Sequence, residues 1–384
     1  MRKAVCAILA LCCSLSFACL NDRDSIMYGY GERDVALVAT GWFPQNPPEY
    51  YQIRIDRLLL ATKSRNLTPS EYDDLAVAYD HLGKDDDALK WIQEKVRLMK
   101  AGAFARYDVL PSFAASEDPW QAERPSLHGE LPAKDYHAYS AQANWGTFLI
   151  HRWIRAGMPP DRIQEAEEAR QHIDAAIDID PNAHAGREVV QSAIIQWLVD
   201  QRRGATTLPQ ISRVELAGLR GLVELGAAWN SYDVFALLSS LEATGRGKAF
   251  CYLRCQELLA EGKTPLTSFR AVSPDPDDVN HYSAYYRELR ESSKQALKER
   301  FAFMRKRFAE GMHPDTSPDF WKGYTGPELP VMYLPLGPRA LAYYIEYIPF
   351  SCCLFPFAPL VAFFVVMRRR RRAKAAEEQA CAEA

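Results

Sequence analysis

One stretch of this 384-residue chain restricts its architecture more than any other, because residues 347–367 contain no charged side chain. As a helix, these 21 residues would be roughly 30 Å long, which matches the hydrocarbon thickness of a bilayer. Five arginines follow at once, at residues 368–372. Because such clusters stay on the cytoplasmic side of a membrane, the pattern predicts a single membrane-spanning helix with the N-terminal body on the extracytoplasmic face.

The N-terminus has the pattern of an export signal. Two basic residues precede an apolar stretch and then small residues, so residues 1–18 are interpreted as a secretory signal peptide. Cleavage after Ala18 would make Cys19 the first residue. The segment resembles the lipobox of bacterial lipoproteins, and this resemblance implies lipidation of Cys19. Cleavage by the ordinary signal peptidase and retention as an uncleaved anchor are the alternatives.

The body between the two ends is acidic. The formal net charge is −3, although the tail after Met367 carries six basic and three acidic residues and the N-terminus carries two basic ones. The rest of the chain therefore carries about −8, which would repel phosphates and argues against nucleic-acid binding. Of the nine cysteines only Cys251 and Cys255 lie in this body. They are interpreted as small core residues, because a structural zinc site would need four ligands.

Residues 68–100 predict a pair of helices. Thr68 and Glu71 have the spacing of a capping box, in which each side chain binds the other's backbone N–H at the start of a helix. Apolar residues recur at helical spacing on both sides of Gly83, where the two helices are expected to join. Ahead of this pair, an amphipathic helix is expected from Glu49.

This helix pair resembles a tetratricopeptide repeat, a unit of two helices that meet through small residues such as Ala76. Lys95 stands where that family usually has a small alanine. A second, longer unit follows at 140–187, with Gly146 and Ala169 at positions corresponding to the family's small residues. The resemblance implies an all-α fold, a tetratricopeptide-like helical-repeat solenoid with a C-terminal transmembrane helix. Two or three further helices between 214 and 262 are interpreted as degenerate repeats or as a cap of the stack.

The expected order of segments follows from these patterns. Asp180 and Pro181 are interpreted as the N-cap and first position of the next helix, and a long charged helix is expected at 282–310. The segments are a signal peptide at 1–18, an N-terminal extension at 19–67, a repeat domain at 68–262 with an inserted loop at 101–135, a charged helix and proline-rich linker at 263–338, a transmembrane helix at 340–367 and a basic cytoplasmic tail at 368–384.

The chain carries no sequence motif of catalysis or metal binding. It lacks the GxSxG, HExxH and phosphate-loop patterns, so we expect neither an enzyme nor a bound metal, cofactor or small-molecule substrate. One acidic group in a proline-rich stretch is interpreted as a solvated loop: Asp275, Asp277, Asp278 and His281. The alternative is an accessory subunit of a membrane enzyme or transporter, with a site built from His and Asp residues of 264–281 or 313–324.

Protein binding is the function that the resemblance implies. Stacked helix pairs leave a concave face lined by the first helix of each pair, and its acidic character would favour a basic or amphipathic partner. The sequence thus predicts an extracytoplasmic scaffold held in the inner membrane, which binds a protein or peptide; the alternative is that these side chains only solvate the surface. The candidate partner-binding residues are Asp73, Val77, Asp80, His81, Thr147, Ile150 and His151.

Overall fold

The described part of the body is built from α-helices. The computed structural model describes residues 20–26, 34–104, 118, 132–181, 183–212, 215–225 and 228–328. The signal peptide, Cys19, the predicted span and tail, and most of the loop at 101–135 lie outside the described residues. The helices are α1 (Arg23–Ile26), α2 (Val35–Thr40), α3 (Pro48–Ala61), α4 (Pro69–His81), α5 (Asp85–Lys100), α6 (Ala133–Arg155), α7 (Ile163–Ile179), α8 (Arg187–Arg202), α9 (Leu216–Leu225), α10 (Tyr232–Leu241), α11 (Gly245–Ala260) and α12 (Pro276–Ala309).

The prediction of an all-α fold is confirmed for the part of the chain that the structure describes. No β-strand occurs in these ranges. Nor does any helix within them combine the length and apolar composition needed to cross a bilayer.

The first predicted helix pair forms as expected. Thr68 accepts a hydrogen bond from the backbone N–H of Glu71, and the Glu71 carboxylate accepts one from the N–H of Thr68. These bonds satisfy N–H groups that the first turn of α4 would otherwise leave unpaired. The turn between α4 and α5 contains Gly83 at φ +69°, a left-handed conformation that glycine adopts without a steric penalty. The two helices consequently pack against each other.

The second helix pair, α6 and α7, meets at a glycine. A Cβ atom placed on Gly146 would lie 2.6 Å from the carbonyl oxygen of Ala169 and 2.8 Å from Cγ1 of Ile173. Both of these neighbours are fully buried. The small residues noted in the sequence thus mark the point where the two helix backbones come closest.

Gly146→Ala is expected to destabilise the fold by about 1–3 kcal/mol, because the added methyl group collides with the backbone of α7 rather than with a side chain that could turn away. This cost exceeds the roughly 1 kcal/mol that alanine contributes as a better helix former than glycine. Urea unfolding of the full chain in detergent, followed by the helical circular dichroism signal, measures the change. An equal or higher stability of the variant would show that the helices do not cross this closely.

Two predicted helix starts are wrong. Asp180 and Pro181 do not begin a helix; Asp180 follows the end of α7 in an extended conformation, and α8 starts at Arg187. Gly186, at φ +75°, breaks the helical path between them. The long charged helix begins at Pro276 rather than at 282, because Asp275 accepts a hydrogen bond from the N–H of Asp277 and caps it.

The acidic group predicted as a solvated loop therefore forms the start of α12. Proline is favoured at the first helical position and carboxylates are favoured in the first turn, where they interact with the positive end of the helix dipole. Asp277, Asp278 and His281 are residues of that helix rather than of a loop.

The N-terminal helix α2 packs against α11 and α12, which come more than 200 residues later in the sequence. The indole N–H of Trp42 donates a hydrogen bond to the carbonyl oxygen of Leu289, at 3.0 Å. In a one-dimensional solenoid each repeat contacts only its neighbours. The contact of α2 with α11 and α12 is therefore not part of the predicted solenoid. It also brings the N-terminal segment against the last described part of the body.

Candidate functional site

The structure brings the seven predicted partner-binding residues together where α4 packs against α6. Six of them are buried: Asp73, Val77, Asp80, Thr147, Ile150 and His151. His81 is exposed and stacks on Tyr51, with ring centroids 4.1 Å apart. The predicted residues are therefore neighbours, but they do not form an open surface in this conformation.

Asp73 is the centre of a buried polar group. Its carboxylate accepts hydrogen bonds from Nζ of Lys95 at 2.6 Å, from Oγ of Ser140 at 3.0 Å and from Nδ2 of Asn144 at 3.1 Å. Burial raises the pKa of Asp73 and lowers that of Lys95, and the attraction between the two charges opposes both changes. Lys95 of α5 is thus accommodated in the buried contact between α4 and α5 because it pairs with a carboxylate of α4.

The side chain of Asn144 binds the backbone of Asn21, which lies two residues after Cys19. The N–H of Asn21 donates to Oδ1 of Asn144, and Nδ2 of Asn144 donates to the carbonyl oxygen of Asn21, both at 2.8 Å. The second N–H of the Asn144 amide donates to Asp73. Since Asp73 can only accept when ionised, it fixes the orientation in which Asn144 matches both backbone groups of Asn21.

The neighbouring residues of the same segment are held in the same way. The N–H and the guanidinium Nε of Arg23 donate to the two oxygens of Asp74, at 3.0 and 2.8 Å. Nη2 of Arg187 donates to the carbonyl oxygen of Leu20 at 3.3 Å. Side chains of α4, α6 and α8 therefore bind the backbone of Leu20, Asn21 and Arg23. We call residues 20–24 the N-terminal strap.

The strap also enters a buried cluster of charges around Arg54 of α3. The Arg54 guanidinium is fully buried and lies 3.0 Å from Asp22, 3.1 Å from Asp24 and 2.8 Å from Asp315. It contacts both oxygens of Asp315, the bidentate geometry that makes such pairs strong. Arg57 also pairs with Asp315, at 2.7 Å. One guanidinium thus joins the strap to the loop that follows α12.

His313 lies beside this cluster. Its Nδ1 accepts a hydrogen bond from the N–H of Asp315 at 3.2 Å, so Nε2 carries the proton and donates to the carbonyl oxygen of Tyr50 at 3.1 Å. Burial lowers the pKa of His313 to about 4, although the Asp315 carboxylate acts in the opposite direction. Burial acts to raise the pKa of Asp315, but the attraction and hydrogen bonds of Arg54 outweigh it and hold that pKa well below its usual range.

A second pair of acidic and basic groups lies further along α4 and α6. Asp80 accepts from Nδ1 of His151 at 2.7 Å and from Arg155 at 2.9 Å, and Arg155 also pairs with Asp85. Burial would raise the pKa of Asp80, but the neighbouring His151 and Arg155 lower it well below its usual range. Asp80 and His151, two of the predicted partner-binding residues, are thus partners of each other.

These shifts predict that acid weakens the fold in two steps. His313, whose folded pKa is about 4, binds protons in the unfolded chain from about pH 6.5 downward. The free energy of unfolding should therefore fall as the pH drops from about 6.5 to 4, by at most about 3 kcal/mol from this group. Asp80 and Asp315, whose pKa values are depressed in the fold, should withdraw their stabilisation as the pH falls further.

Urea titrations between pH 7 and pH 3 test this prediction. His313→Gln should flatten the first step, since glutamine keeps a polar side chain but does not titrate. His137, which burial also gives a lowered pKa of about 3, should retain part of that slope. A first step of unchanged size in His313→Gln would show that His313 is not responsible.

The described residues contain no group of three or more His, Cys, Asp or Glu side chains arranged to hold a metal ion. The thiols of Cys251 and Cys255 are both buried, and burial raises their pKa values, which disfavours the reactive thiolate form. The alternative function placed a site in residues 264–281 or 313–324. In the second range, the polar atoms of His313 and Asp315 are already hydrogen-bonded to Tyr50 and Arg54.

Sequence reasoning identified Asp73 and Asp80 but missed the residues that bind the strap. Asn144 lies two residues before Gly146, which indicated the second helix pair, and nothing in that pattern distinguishes Asn144 from its neighbours. Lys95 did offer a signal, because a lysine on the buried stripe of a helix requires a buried acceptor.

Comparison with protein-family models, with curated proteins and with solved structures gives no match for this chain.

Proposed function

We propose that this protein is a membrane-anchored, extracytoplasmic scaffold of the bacterial cell envelope, with a tetratricopeptide-like body that binds another protein. The observation that carries the proposal is the set of side chains that bind the N-terminal strap. Asn144, Asp74 and Arg187 bind its backbone through N–H and carbonyl groups. This is the chemistry by which proteins capture peptide segments.

The helical architecture supports this reading. Consecutive helices α4 to α8 pack in sequence order, as expected for repeats that present a series of inner side chains. The sequence adds the export signal, the span at 347–367 and the arginines at 368–372, from which we infer attachment to the inner membrane. Cys19, if lipidated, would provide a second attachment.

Cross-linking in intact cells tests the binding function. The full chain, tagged after Ala384, is cross-linked and purified from membranes beside a control in which an unrelated exported domain replaces residues 20–338. We expect a discrete protein that the full chain retains and the control does not. Failure to find any such protein would contradict the scaffold function.

The same experiment addresses the alternative function, an accessory subunit of a membrane enzyme or transporter, because its partner would be an integral membrane protein of that kind. The orientation is tested separately. A fluorescent reporter that matures only in the cytoplasm should be active when fused after Ala384, and an exported reporter at that position should be inactive. The reverse result would overturn the topology.

A further inference from the structure

Side chains of the body bind the backbone of the N-terminal strap in the way that a receptor binds a peptide ligand. Residues 20–22 belong to no helix, and the hydrogen bonds of their backbone go to side chains of α6 and α8. A buried backbone must find partners for its N–H and carbonyl groups, and segments of the same chain usually find them in helices or sheets. Here Asn144 and Arg187 supply those partners, as a receptor does for a bound peptide.

The last three side chains of the strap, Asp22, Arg23 and Asp24, alternate in charge. Each of them lies beside a side chain of opposite charge. Asp22 pairs with Arg54 at 3.0 Å, and Arg23 pairs with Asp74 at 2.7 Å. Asp24 also lies on Arg54, at 3.1 Å. The site therefore recognises an acidic, a basic and an acidic residue in succession, in addition to the backbone.

The strap fits this site imperfectly at one position. The side chain of Asn21 is completely buried, and neither its Oδ1 nor its Nδ2 has a hydrogen-bond partner in the part of the chain that the structure describes. An unpaired buried amide weakens the hold on the strap by about tenfold or more. A small apolar residue at the same position would not carry this cost.

We propose that residues 20–24 are an internal occupant of a peptide-binding site, and that the partner is a segment with the same backbone path, in which a small apolar residue is followed by Asp, Arg and Asp. The inference rests on the proposed scaffold function and names its partner and its regulation. Because the strap is tethered beside the site, its effective concentration is about millimolar. The strap therefore keeps weakly binding ligands out of the site and is displaced by a ligand that binds more tightly.

The site can be opened through the strap without changing any residue of the receptor. Arg23→Ala removes the guanidinium contacts of the strap with Asp74 and Asp315. Asn21→Ala removes the unpaired amide, so the strap should be held more firmly. The probe is a labelled peptide, acetyl-Leu-Ala-Asp-Arg-Asp-amide, and its binding to the full chain in detergent is measured by fluorescence anisotropy. A peptide of the same composition in scrambled order is the control.

We expect Arg23→Ala to bind the probe at least about tenfold more tightly than the wild type, and Asn21→Ala to bind it more weakly than the wild type, by about tenfold. Adding Asp74→Asn to Arg23→Ala should abolish the gain, because the arginine of the probe then lacks its carboxylate. Circular dichroism establishes that each variant is folded. If Arg23→Ala does not fold, the comparison of probe binding between Asn21→Ala and the wild type still tests the inference.

Equal binding of the ordered and scrambled peptides, or the same affinity in the wild type and in both strap variants, would overturn the inference. A protein partner that is captured by cross-linking and retained by a chain carrying Asn144→Ala would show that the scaffold binds elsewhere. In that case the proposed function would stand and this inference would not.

Discussion

Replacement of Arg54 by alanine should lower the free energy of unfolding by about 3–5 kcal/mol, one of the two largest effects that we expect from a single side chain. Arg54 is completely buried and pairs with carboxylates from the strap and from the loop after α12. Its loss leaves Asp22 and Asp315 buried with less compensating charge. Urea unfolding of the full chain at neutral pH measures the change.

Arg57→Ala is the matched control, because Arg57 lies one helical turn away, binds the same Asp315 and is 29% exposed. We expect a loss of less than about 1 kcal/mol, because the Arg57 side chain is partly exposed to solvent and its removal leaves Asp315 paired with Arg54. Similar losses for the two variants would contradict the view that the buried position of Arg54 sets its importance.

Lys95→Met should cost about 3–5 kcal/mol, although methionine suits a buried helical position. The reason is that Asp73, which is 2% exposed, would keep only the neutral donors Ser140 and Asn144. Unfolding of the variant in urea gives the cost. Lys100→Met, an exposed change at the end of the same helix, is the control and should be nearly neutral.

A double-mutant cycle separates the ion pair from the loss of the lysine side chain. Asp73→Asn together with Lys95→Met should recover about 2 kcal/mol or more relative to Lys95→Met alone, since no buried charge is left unpaired. Additive losses from the two changes would mean that Asp73 and Lys95 stabilise the fold independently of each other.

The local patterns in the sequence predicted most of the helices. Thr68 and Glu71 identified the start of α4, and Gly83 identified the turn after it, because both signals act within a few residues and need no tertiary contact. The same kind of reasoning failed at Asp180 and Pro181. An Asp-Pro pair also suits a turn, and only the left-handed Gly186 shows where α8 begins.

The repeat resemblance placed Asp73 and Asp80 on a concave face open to a partner, whereas the structure buries both where α4 packs against α6. The helical pattern could not indicate that Asp73 meets Lys95 or that Asp80 meets His151, because each pair joins helices whose relative positions depend on packing. The distance of 123 residues between Asn21 and Asn144 likewise leaves no trace in a local pattern.

The sequence by itself determined the helical class of the body, the small residues at which its helices cross and the expectation of an exported chain with a membrane span. These features depend on residue periodicity and on the short-range chemistry of caps and turns. Only the tertiary structure decided that the segment after Cys19 lies in a site formed by helices that are distant from it in the sequence. A buried backbone and buried charges need partners, and the partners of the strap come from α3, α4, α6, α8 and the loop containing Asp315, which folding alone brings together.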